Sequence, residues 1–476
     1  MNLERIFRHV EAQKGTHLEQ LREFLKQPSV SPQNIGIQEC AKLVAHYFKE
    51  LGCQKAEIVP TKGNPVVYGR YDAGAEKTLL GYFMYDTQPF DEPGWTHDPM
   101  GAELVPMKLP SGKVTALINR GSYNSKGPMM AFLHAVAAIR AVEGELPVNL
   151  ILMAEGEEEL GSVHLPGFVK AYKKELSKAD ACFFPFFNQD HYGKVHLFLG
   201  NKGIIYFELE CSGKQWGRGP QEFDIHSSNK TWMDSPVWRM IHALSTMTDK
   251  TGNKILIKHF YDDVAEPSSE EKGLIAQLAK TFNPKAVKEL NKVSKFSVDE
   301  TNRAKLLNAY FNGTTLNIDG IWGGYIGPGS KTVLPHKVTA KLDVRLVPNQ
   351  KPDKILKLVR KHLDDHGYSD IKITTLDAYG WAQTDLKADV VQAVIKACRA
   401  FGYEPELWPR IGGSAPFYLF TEVLKIPFAE GVLGHGGRAH SPNEYIVWEG
   451  NKKVPGYTEA VKSMVAFLNE YAKRPA

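Results

Sequence analysis

The hydrophobic pattern alternates between strands and helices over the first part of the chain. Continuous apolar runs of strand length at Thr78–Met84 and at 148–154 predict strands buried on both faces of a parallel sheet. Apolar residues at helical spacing predict amphipathic helices over 3–26 and 37–51, and Gly52 is placed to end the second one. The alternation continues to about residue 210, which is typical of a layered α/β domain.

The pattern changes over about 212–378 and returns after about 380. The helical stretches in this segment are 235–247, 269–282, 285–296 and 351–366, and the strand-like stretches are 314–321 and Lys337–Leu346. We therefore expect a discontinuous α/β domain over 1–211 and 379–476, with a mixed, largely parallel sheet flanked by helices. An α+β domain is expected as an insertion at 212–378.

Composition and charge exclude several classes of partner. The net charge of +4 on 476 residues, without a long basic run, argues against a nucleic-acid-binding protein. No apolar stretch approaches membrane-spanning length, and the charged N-terminal segment lacks the apolar core of a signal peptide. Five scattered cysteines without a CxxC pair favour reduced thiols. We expect a cytoplasmic protein that acts on a small molecule and binds neither nucleic acid nor membrane.

Four carboxylates follow the apolar run at 148–154, namely Glu155, Glu157, Glu158 and Glu159. In open α/β sheets, ligands bind beyond the carboxyl ends of the strands, so these acids are candidates for chemistry. Alternatively, they decorate the first turn of a helix, where the helix dipole favours negative charge. This stretch alone fits both interpretations.

Nine motifs give the chain a specific resemblance. They are YDTQP (85–89), the loop from Trp95 to Pro99, RGSYNSKG (120–127), EGEEELGS (155–162), DIHS (224–227), GPGSKTVLP (327–335), RLVPNQ (345–350), GGSAP (412–416) and AHSPNE (439–444). In this order they resemble the M20 metallopeptidase family, in particular its carnosinase-like and cytosolic dipeptidase branch. The resemblance implies a catalytic α/β domain with an inserted lid domain, often used for dimerisation. It also implies hydrolysis of peptide or N-acyl bonds at two divalent metals.

The resemblance places the ligands of the first family metal on residues that bind metals poorly. The family uses a His, a bridging Asp and a further Asp, and the matching positions here are Met84, Asn124 and Phe186, with Asp190 close to the last. A phenylalanine offers no ligand atom, and a methionine thioether suits Cu(I) better than zinc or manganese. We therefore predict that the binuclear centre is lost.

The second family metal keeps two of its ligands. The matching residues are Asn124, Glu159 and His440, of which the amide is a weak ligand. We expect either no metal or one zinc or manganese ion of low affinity. Asp86 matches the residue that orients the missing His, and without that ligand we favour a simpler role in capping local backbone.

The positions that handle substrate in the family are largely kept. Glu158 matches the general base, and Arg345 matches the residue that holds a substrate carboxylate, a task suited to its planar fork. His226 matches the lid histidine that stabilises developing negative charge, typically in the partner subunit. The further substrate-binding candidates are Thr332, Ser414, Gly412, Gly413 and Asn124. A lone arginine is more often a surface residue and a lone histidine a core residue, but their joint retention in motifs favours function.

The substitutions at the family ligand positions reduce the negative charge of the site. Removing two dications would leave negative charge uncompensated, and Asn124 and Phe186 each replace a family Asp. Glu158 and Glu159 remain, facing His440. Two carboxylates held close together cannot both ionise easily, so one pKa is expected to rise. The hypothesis is that Glu158 and Glu159 share a proton as a catalytic acid/base pair, comparable in principle to the aspartic-protease dyad.

Three functions fit these residues. The first is a hydrolase acting on an amide, peptide or related C–N bond of a small amino-acid-like substrate that bears a carboxylate. The second is a non-hydrolytic enzyme, amide-forming or lyase, in the same pocket, and the third is an inactive ligand-binding protein. Joint retention of Glu158, Glu159, His226 and Arg345 argues against the third. The resemblance also implies a homodimer formed through the inserted domain.

Overall fold

The computed structural model describes residues 1–473, which fall into two compact units. Unit 1 comprises Met1–Leu199, Gln383–Trp408 and the chain from Leu419 onwards, and unit 2 comprises Gly200–Ala382 and Pro409–Tyr418. The chain passes between the units at 199/200 and 382/383, whereas the hydrophobic pattern predicted 211/212 and 378/379. The short segment 409–418, which contains the GGSAP motif, also belongs to unit 2.

The helices have the following bounds. They are α1 (Leu3–Ala12), α2 (Lys14–Lys26), α3 (Ile37–Glu50), α4 (Gly127–Glu143), α5 (Leu165–Ala171), α6 (Lys173–Leu176), α7 (Gly213–Trp216), α8 (Pro236–Met247), α9 (Ser269–Thr281), α10 (Pro284–Asn291), α11 (Arg303–Asn312), α12 (Pro352–Asp365), α13 (Asp389–Ala400) and α14 (Tyr457–Ala472). None of these helices, within residues 1–473, is long and apolar enough to cross a bilayer.

The strands have the following bounds. They are β1 (Lys55–Val59), β2 (Val66–Tyr71), β3 (Thr78–Met84), β4 (Glu103–Leu109), β5 (Gly112–Ile118), β6 (Asn149–Glu155), β7 (Ala181–Phe187), β8 (His196–Phe198), β9 (Gly200–Asn201), β10 (Gly203–Ser212), β11 (Ile225–His226), β12 (Asn317–Trp322), β13 (Val333–Leu334), β14 (Lys337–Leu346), β15 (Lys372–Tyr379), β16 (Ala382–Gln383), β17 (Glu406–Trp408), β18 (Phe428–Val432), β19 (Gly436–Gly437) and β20 (Tyr445–Glu449).

Most predicted elements are confirmed within a few residues, and two helices are corrected. The single helix predicted over 3–26 is wrong, because the chain turns at Gln13 and forms α1 and α2. The helix predicted over 285–296 ends early, because Lys292 adopts a left-handed backbone conformation with φ +55. By contrast α3 stops as predicted, with Gly52 at φ +82.

The core of unit 1 is a six-stranded sheet with the order β1-β2-β6-β3-β7-β18. The pairings from β6 through β3 and β7 to β18 are parallel, and those of β1 with β2 and β2 with β6 are antiparallel. This confirms the predicted mixed, largely parallel sheet. On one face, Phe83 and Phe183 pack against Phe132 of α4. Because side chains alternate along a strand, Tyr82 and Phe184 point to the opposite face.

The core of unit 2 is an antiparallel sheet with the order β12-β14-β10-β15. Apolar side chains of β10 and β14 form a buried cluster with residues from α8 and α12. The strand β12 lies at the edge of this sheet, and its Ile318, Ile321 and Trp322 are exposed. This is the layered α+β arrangement predicted for the inserted domain.

Candidate active site

A single helical turn at Glu158–Leu160 follows β6 and carries the acidic motif. Asp86, two residues after the end of β3, is fully buried and accepts hydrogen bonds from the backbone N–H groups of Glu158 (3.2 Å) and Glu159 (3.0 Å). Ser31 Oγ donates a third bond to Asp86, at 2.6 Å. Asp86 therefore fixes the turn, as its simpler interpretation predicted. Burial raises the pKa of Asp86 to about 7, although these hydrogen bonds oppose the rise.

Two of the four acids are engaged with neighbouring groups. Glu157 pairs with His164 Nδ1 at 2.9 Å and accepts the N–H of Asn64 at 2.9 Å. Glu155 Oε1 accepts the hydroxyls of Tyr82 (2.5 Å) and Ser162 (2.9 Å). These contacts give Glu155 and Glu157 structural roles in the described structure, which leaves Glu158 and Glu159 as the reactive candidates.

Asn124, Glu159 and His440 meet at the carboxyl ends of the parallel strands. Asn124 Nδ2 donates to Glu159 Oε1 at 2.8 Å and lies 3.0 Å from His440 Nε2, which in turn lies 3.0 Å from Glu159 Oε2. A carboxylate oxygen and an unprotonated ring nitrogen are both acceptors, so the contact between His440 and Glu159 requires a proton. The hydrogen bond with Glu159 raises the pKa of His440 accordingly.

The donor set at these positions does not fit the two-metal centre of the family. Asn124 presents its amide nitrogen, which has no lone pair for a cation, to Glu159 and His440. Met84 is buried, and the ring of Phe186 packs 4.7 Å from that of Tyr123. Within residues 1–473 no group of three or more His, Cys, Asp or Glu side chains is arranged to hold a metal ion. Asp190 bonds to the N–H groups of its own turn, 190–194.

Glu158 differs from Glu159 in its surroundings. Glu159 has a side chain only 2% exposed, and Gln88 Nε2 donates to its Oε2 at 2.8 Å. The Glu158 carboxyl has no hydrogen-bond partner among the described residues. Burial raises the pKa of Glu158 well above its ordinary value, and the negative charges of Glu159, Asp86 and Glu155 add to the rise. These surroundings favour the protonated form of Glu158.

The side chain of Glu444 binds the backbone of the loop that carries Asn124. Glu444 is buried and accepts the backbone N–H groups of Gly121 (3.1 Å), Tyr123 (2.9 Å) and Asn124 (2.8 Å). Arg120 is also buried, and its Nη1 donates to Glu444 at 2.9 Å. Glu444, Arg120 and Gln88 were not among the residues predicted from the sequence, although each lies inside a quoted motif. Only their contacts with the loop and with Glu159 reveal their roles.

In unit 2 the predicted residues form two local groups. Arg345 Nη1 donates to Ser414 Oγ at 2.8 Å, and its Nε lies 3.3 Å from Asp343. His226 Nε2 lies 3.1 Å from Thr332 Oγ1. His226 lies on β11, which pairs with β13. Its partner in register on β13 is Val333, the residue after Thr332.

The loop of Gly412 and Gly413 is anchored to the same unit as Arg345. Gly412 donates its N–H to Tyr310 Oη at 3.1 Å, and the carbonyl of Gly413 accepts the N–H of Lys202 at 3.1 Å. Lys202, another residue not selected from the sequence, is 5% exposed. Burial, together with the charges of Arg410 and Arg345, lowers its pKa to about 8.

Comparisons with known proteins agree on one family. The profile of the peptidase dimerisation domain of M20 enzymes matches residues 199–371. An M20 family metallo-carboxypeptidase from Sulfolobus solfataricus is 35% identical, with 96% of this chain and 99% of that chain covered and a TM-score of 0.85. A Cys-Gly metallodipeptidase of Candida albicans is 29% identical over 99% of this chain and 98% of its own. A Beta-Ala-His dipeptidase of Homo sapiens is 27% identical over 99% and 93%. The chain belongs to the M20 peptidase family, which confirms the resemblance carried by the nine motifs.

Proposed function

We propose that this protein is a dipeptidase-type hydrolase that cleaves an amide or peptide bond of a small amino-acid-like substrate without the two-metal centre of its family. Its relatives are named dipeptidases and span nearly the whole chain, which supports the reaction class. The observation that carries the metal-independent part is the hydrogen bond from Asn124 Nδ2 to Glu159, whose other oxygen pairs with His440. Side chains at three family ligand positions are thus joined through Glu159.

Hydrolysis of an amide needs a base for water, stabilisation of the oxyanion and a proton for the leaving nitrogen. Glu159 is the ionised member of the pair and takes the proton of water, while Glu158 is the neutral member and donates one. This reverses the starting assignment of Glu158 as base, because its burial among acids favours the protonated form. The two carboxyls exchange roles once per turnover. His440 stabilises the ionised form of Glu159 by sharing its proton.

Unit 2 contributes the remaining roles in this proposal. Arg345, oriented by Ser414, holds the substrate carboxylate, and Thr332 and Gly413 help to position the substrate. His226 stabilises negative charge on the reacting carbonyl in a partner subunit. The match of residues 199–371 to a dimerisation domain supports a homodimer through this unit. Unit 1 is the proposed catalytic domain, and unit 2 is the proposed lid.

A single low-affinity zinc or manganese ion at Glu159 and His440 is the competing assignment. Turnover of dipeptides before and after treatment with EDTA separates the two. We expect turnover to survive the chelator, since protein groups alone supply the proton transfers. Activity that is abolished by EDTA and restored by zinc or manganese would show that the metal-independent mechanism is wrong.

The variant Glu158→Gln separates an enzyme from a pure binding protein. The amide cannot transfer a proton, so turnover should fall by a factor of at least about 100 while substrate affinity is kept. Glu222→Gln, at a solvent-exposed glutamate, is the control and should leave both quantities unchanged. Unchanged turnover in Glu158→Gln would remove Glu158 from the mechanism.

A further inference from the structure

A cavity of about 490 Å³ opens in unit 1 between the loop that follows β1 and the helix α5. Its lining is mostly apolar and includes Val59, Pro60, Val163, Gly167 and Phe168. The three polar residues that meet at the candidate active site do not line it. Pockets of about 300–1,000 Å³ with a largely apolar lining and a few polar groups hold small molecules in proteins. This cavity has both properties.

The loop 60–65, on one side of the cavity, is fixed by hydrogen bonds. Asn64 donates its backbone N–H to Glu157 Oε1 at 2.9 Å and its side-chain amide to the carbonyl of Gly156 at 2.6 Å. The hydroxyl of Thr61 donates to the carbonyl of Asn64 at 2.7 Å. This side of the cavity is therefore formed before any ligand binds, as is usual for small-molecule sites.

The α5 side of the cavity carries a pair of stacked aromatic rings. The ring centroids of Phe168 and Tyr172 are 4.5 Å apart, with an angle of 18° between the ring planes. Phe168 is only 5% exposed, and Tyr172 Oη donates to Glu57 at 3.0 Å, so both rings are held in place. The ring of Tyr172 also packs 5.2 Å from that of Tyr68. A flat aromatic ligand would find a rigid surface of the same chemistry here.

The acids that contact these two sides are already paired. Glu57 forms an ion pair with Lys55 at 2.7 Å, and Glu157 accepts a hydrogen bond from Nδ1–H of His164 at 2.9 Å. Lys62 and His164 line the cavity. Within residues 1–473, neither Lys62 Nζ nor His164 Nε2 has a hydrogen-bond or ion-pair partner. The unpaired charge at the cavity is therefore the positive charge of Lys62.

We propose that this cavity is a second ligand site, which takes a small aromatic monocarboxylate. The ring of the ligand lies against Phe168 and Tyr172. Its carboxylate accepts hydrogen bonds from Lys62 Nζ and from Nε2–H of His164, which is a donor in the protonated imidazole.

The charges around the cavity select a carboxylate over other ligands. A cation would be repelled by Lys62, and both nearby acids are occupied by other partners. A neutral aromatic compound would gain the apolar contacts but no charge-assisted hydrogen bond, which is roughly twice as strong as a neutral one. A carboxylate on an aromatic ring uses both the apolar lining and the unpaired lysine.

Binding of a matched pair of compounds tests the proposal without any turnover, so the result does not depend on the proposed hydrolase function. The probes are 2-naphthylacetate and the neutral 2-(2-naphthyl)ethanol, which has the same ring, in saturation-transfer NMR titrations at pH 7.5. We expect the acid to bind at least about fivefold more tightly than the alcohol. Equal binding of the two compounds, or no binding of the acid, would overturn the proposal.

Three leucine variants locate the bound acid. A Cβ added at Gly167 meets no atom within 4 Å, so Gly167→Leu can fill the cavity without displacing a neighbour, and it should weaken binding of both compounds at least about tenfold. Lys62→Leu should weaken binding of the acid about fivefold and leave that of the alcohol unchanged. Lys170→Leu, at an exposed lysine of α5 outside the lining, is the control and should alter neither. Unchanged binding of the acid in Gly167→Leu or Lys62→Leu would contradict the assignment.

A fourth variant separates this cavity from the proposed substrate site, where Arg345 is the carboxylate anchor. Arg345→Met should bind 2-naphthylacetate as tightly as the unmodified protein, because Arg345 does not line the cavity. Binding that is lost in Arg345→Met and kept in Gly167→Leu would place the acid in the substrate site and overturn the proposal.

Discussion

At the scale of single residues, the amide nitrogen of Asn124 distinguishes this site from the metal centre of the family. An aspartate at position 124 would present oxygens to a cation, whereas Asn124 presents an N–H group to Glu159 at 2.8 Å. The same change removes one negative charge from a region that already holds Asp86, Glu158 and Glu159. The sequence shows that residue 124 is an asparagine, but it does not show which groups its amide contacts. That contact depends on the loop conformation that Glu444 maintains.

Restoring the carboxylate should restore affinity for a metal. In Asn124→Asp two carboxylates would face each other across the present 2.8 Å contact, and a cation would relieve their repulsion. Zinc at 100 times its dissociation constant should then raise the free energy of unfolding by about 2.7 kcal/mol. Chemical denaturation with and without zinc measures this. The control Asn124→Ala adds no charge and should not respond, and an equal response of the unmodified protein would contradict the prediction.

Glu430 should make stability depend on alkaline pH. Its pKa is raised from 4.5 to about 8 in the folded protein, so the folded state holds this proton more tightly than the unfolded state. The contribution of this raised pKa to the free energy of unfolding is complete below pH 4.5 and is lost as the pH rises through 8. Glu430→Gln lacks this loss, so it should become more stable relative to the unmodified protein by up to about 5 kcal/mol at pH 9. Urea denaturation at pH 6 and pH 9 measures the difference. A constant difference between the two pH values would contradict it.

At the scale of elements, prediction succeeded where one hydrophobic period dominates. The apolar run of β3 and the alternating pattern of β14 were predicted with their observed bounds, Thr78–Met84 and Lys337–Leu346. The hairpin of β4 and β5 was missed, because β4 contains Pro106 and is largely solvent-facing. The break between α1 and α2 was missed because Gln13 carries no breaker signal. Motifs identified the site residues, whereas the contacts among them required the structure.

The loop before α4 should depend on Glu444. This buried acid accepts three backbone N–H groups and pairs with Arg120, so Glu444→Gln breaks a buried ion pair and should cost about 3–5 kcal/mol of unfolding free energy. Denaturant titration measures the loss. Glu449→Gln is the matched control, since Glu449 forms an exposed pair with Lys14 and should cost less than about 1 kcal/mol. Similar losses in the two variants would show that Glu444 does not hold the loop.

At the scale of the whole molecule, several large apolar side chains of unit 2 are exposed. Trp232 is 77% exposed and Trp238, on α8, is 55% exposed. The edge strand β12 presents further exposed apolar side chains. Together with the matched dimerisation domain, these surfaces support the proposed homodimer.

A charge on this surface should dissociate the dimer. Trp238→Glu places a carboxylate within the proposed apolar interface and should yield monomers in analytical ultracentrifugation. Activity should fall with it, because His226 is proposed to act in the partner subunit. Val163→Glu, at an exposed position of unit 1, should change neither mass nor activity. A Trp238→Glu protein that remains dimeric would place the interface elsewhere.

The metal content of the purified, active protein tests the central proposal most directly. Elemental analysis by mass spectrometry, combined with anomalous X-ray scattering from crystals grown with zinc and manganese, reports both the amount and the location of any ion. We predict well below one ion per chain in the active protein and no anomalous peak between Glu159 and His440. Two ions per chain at the ends of β3 and β6, with activity that follows their occupancy, would contradict it.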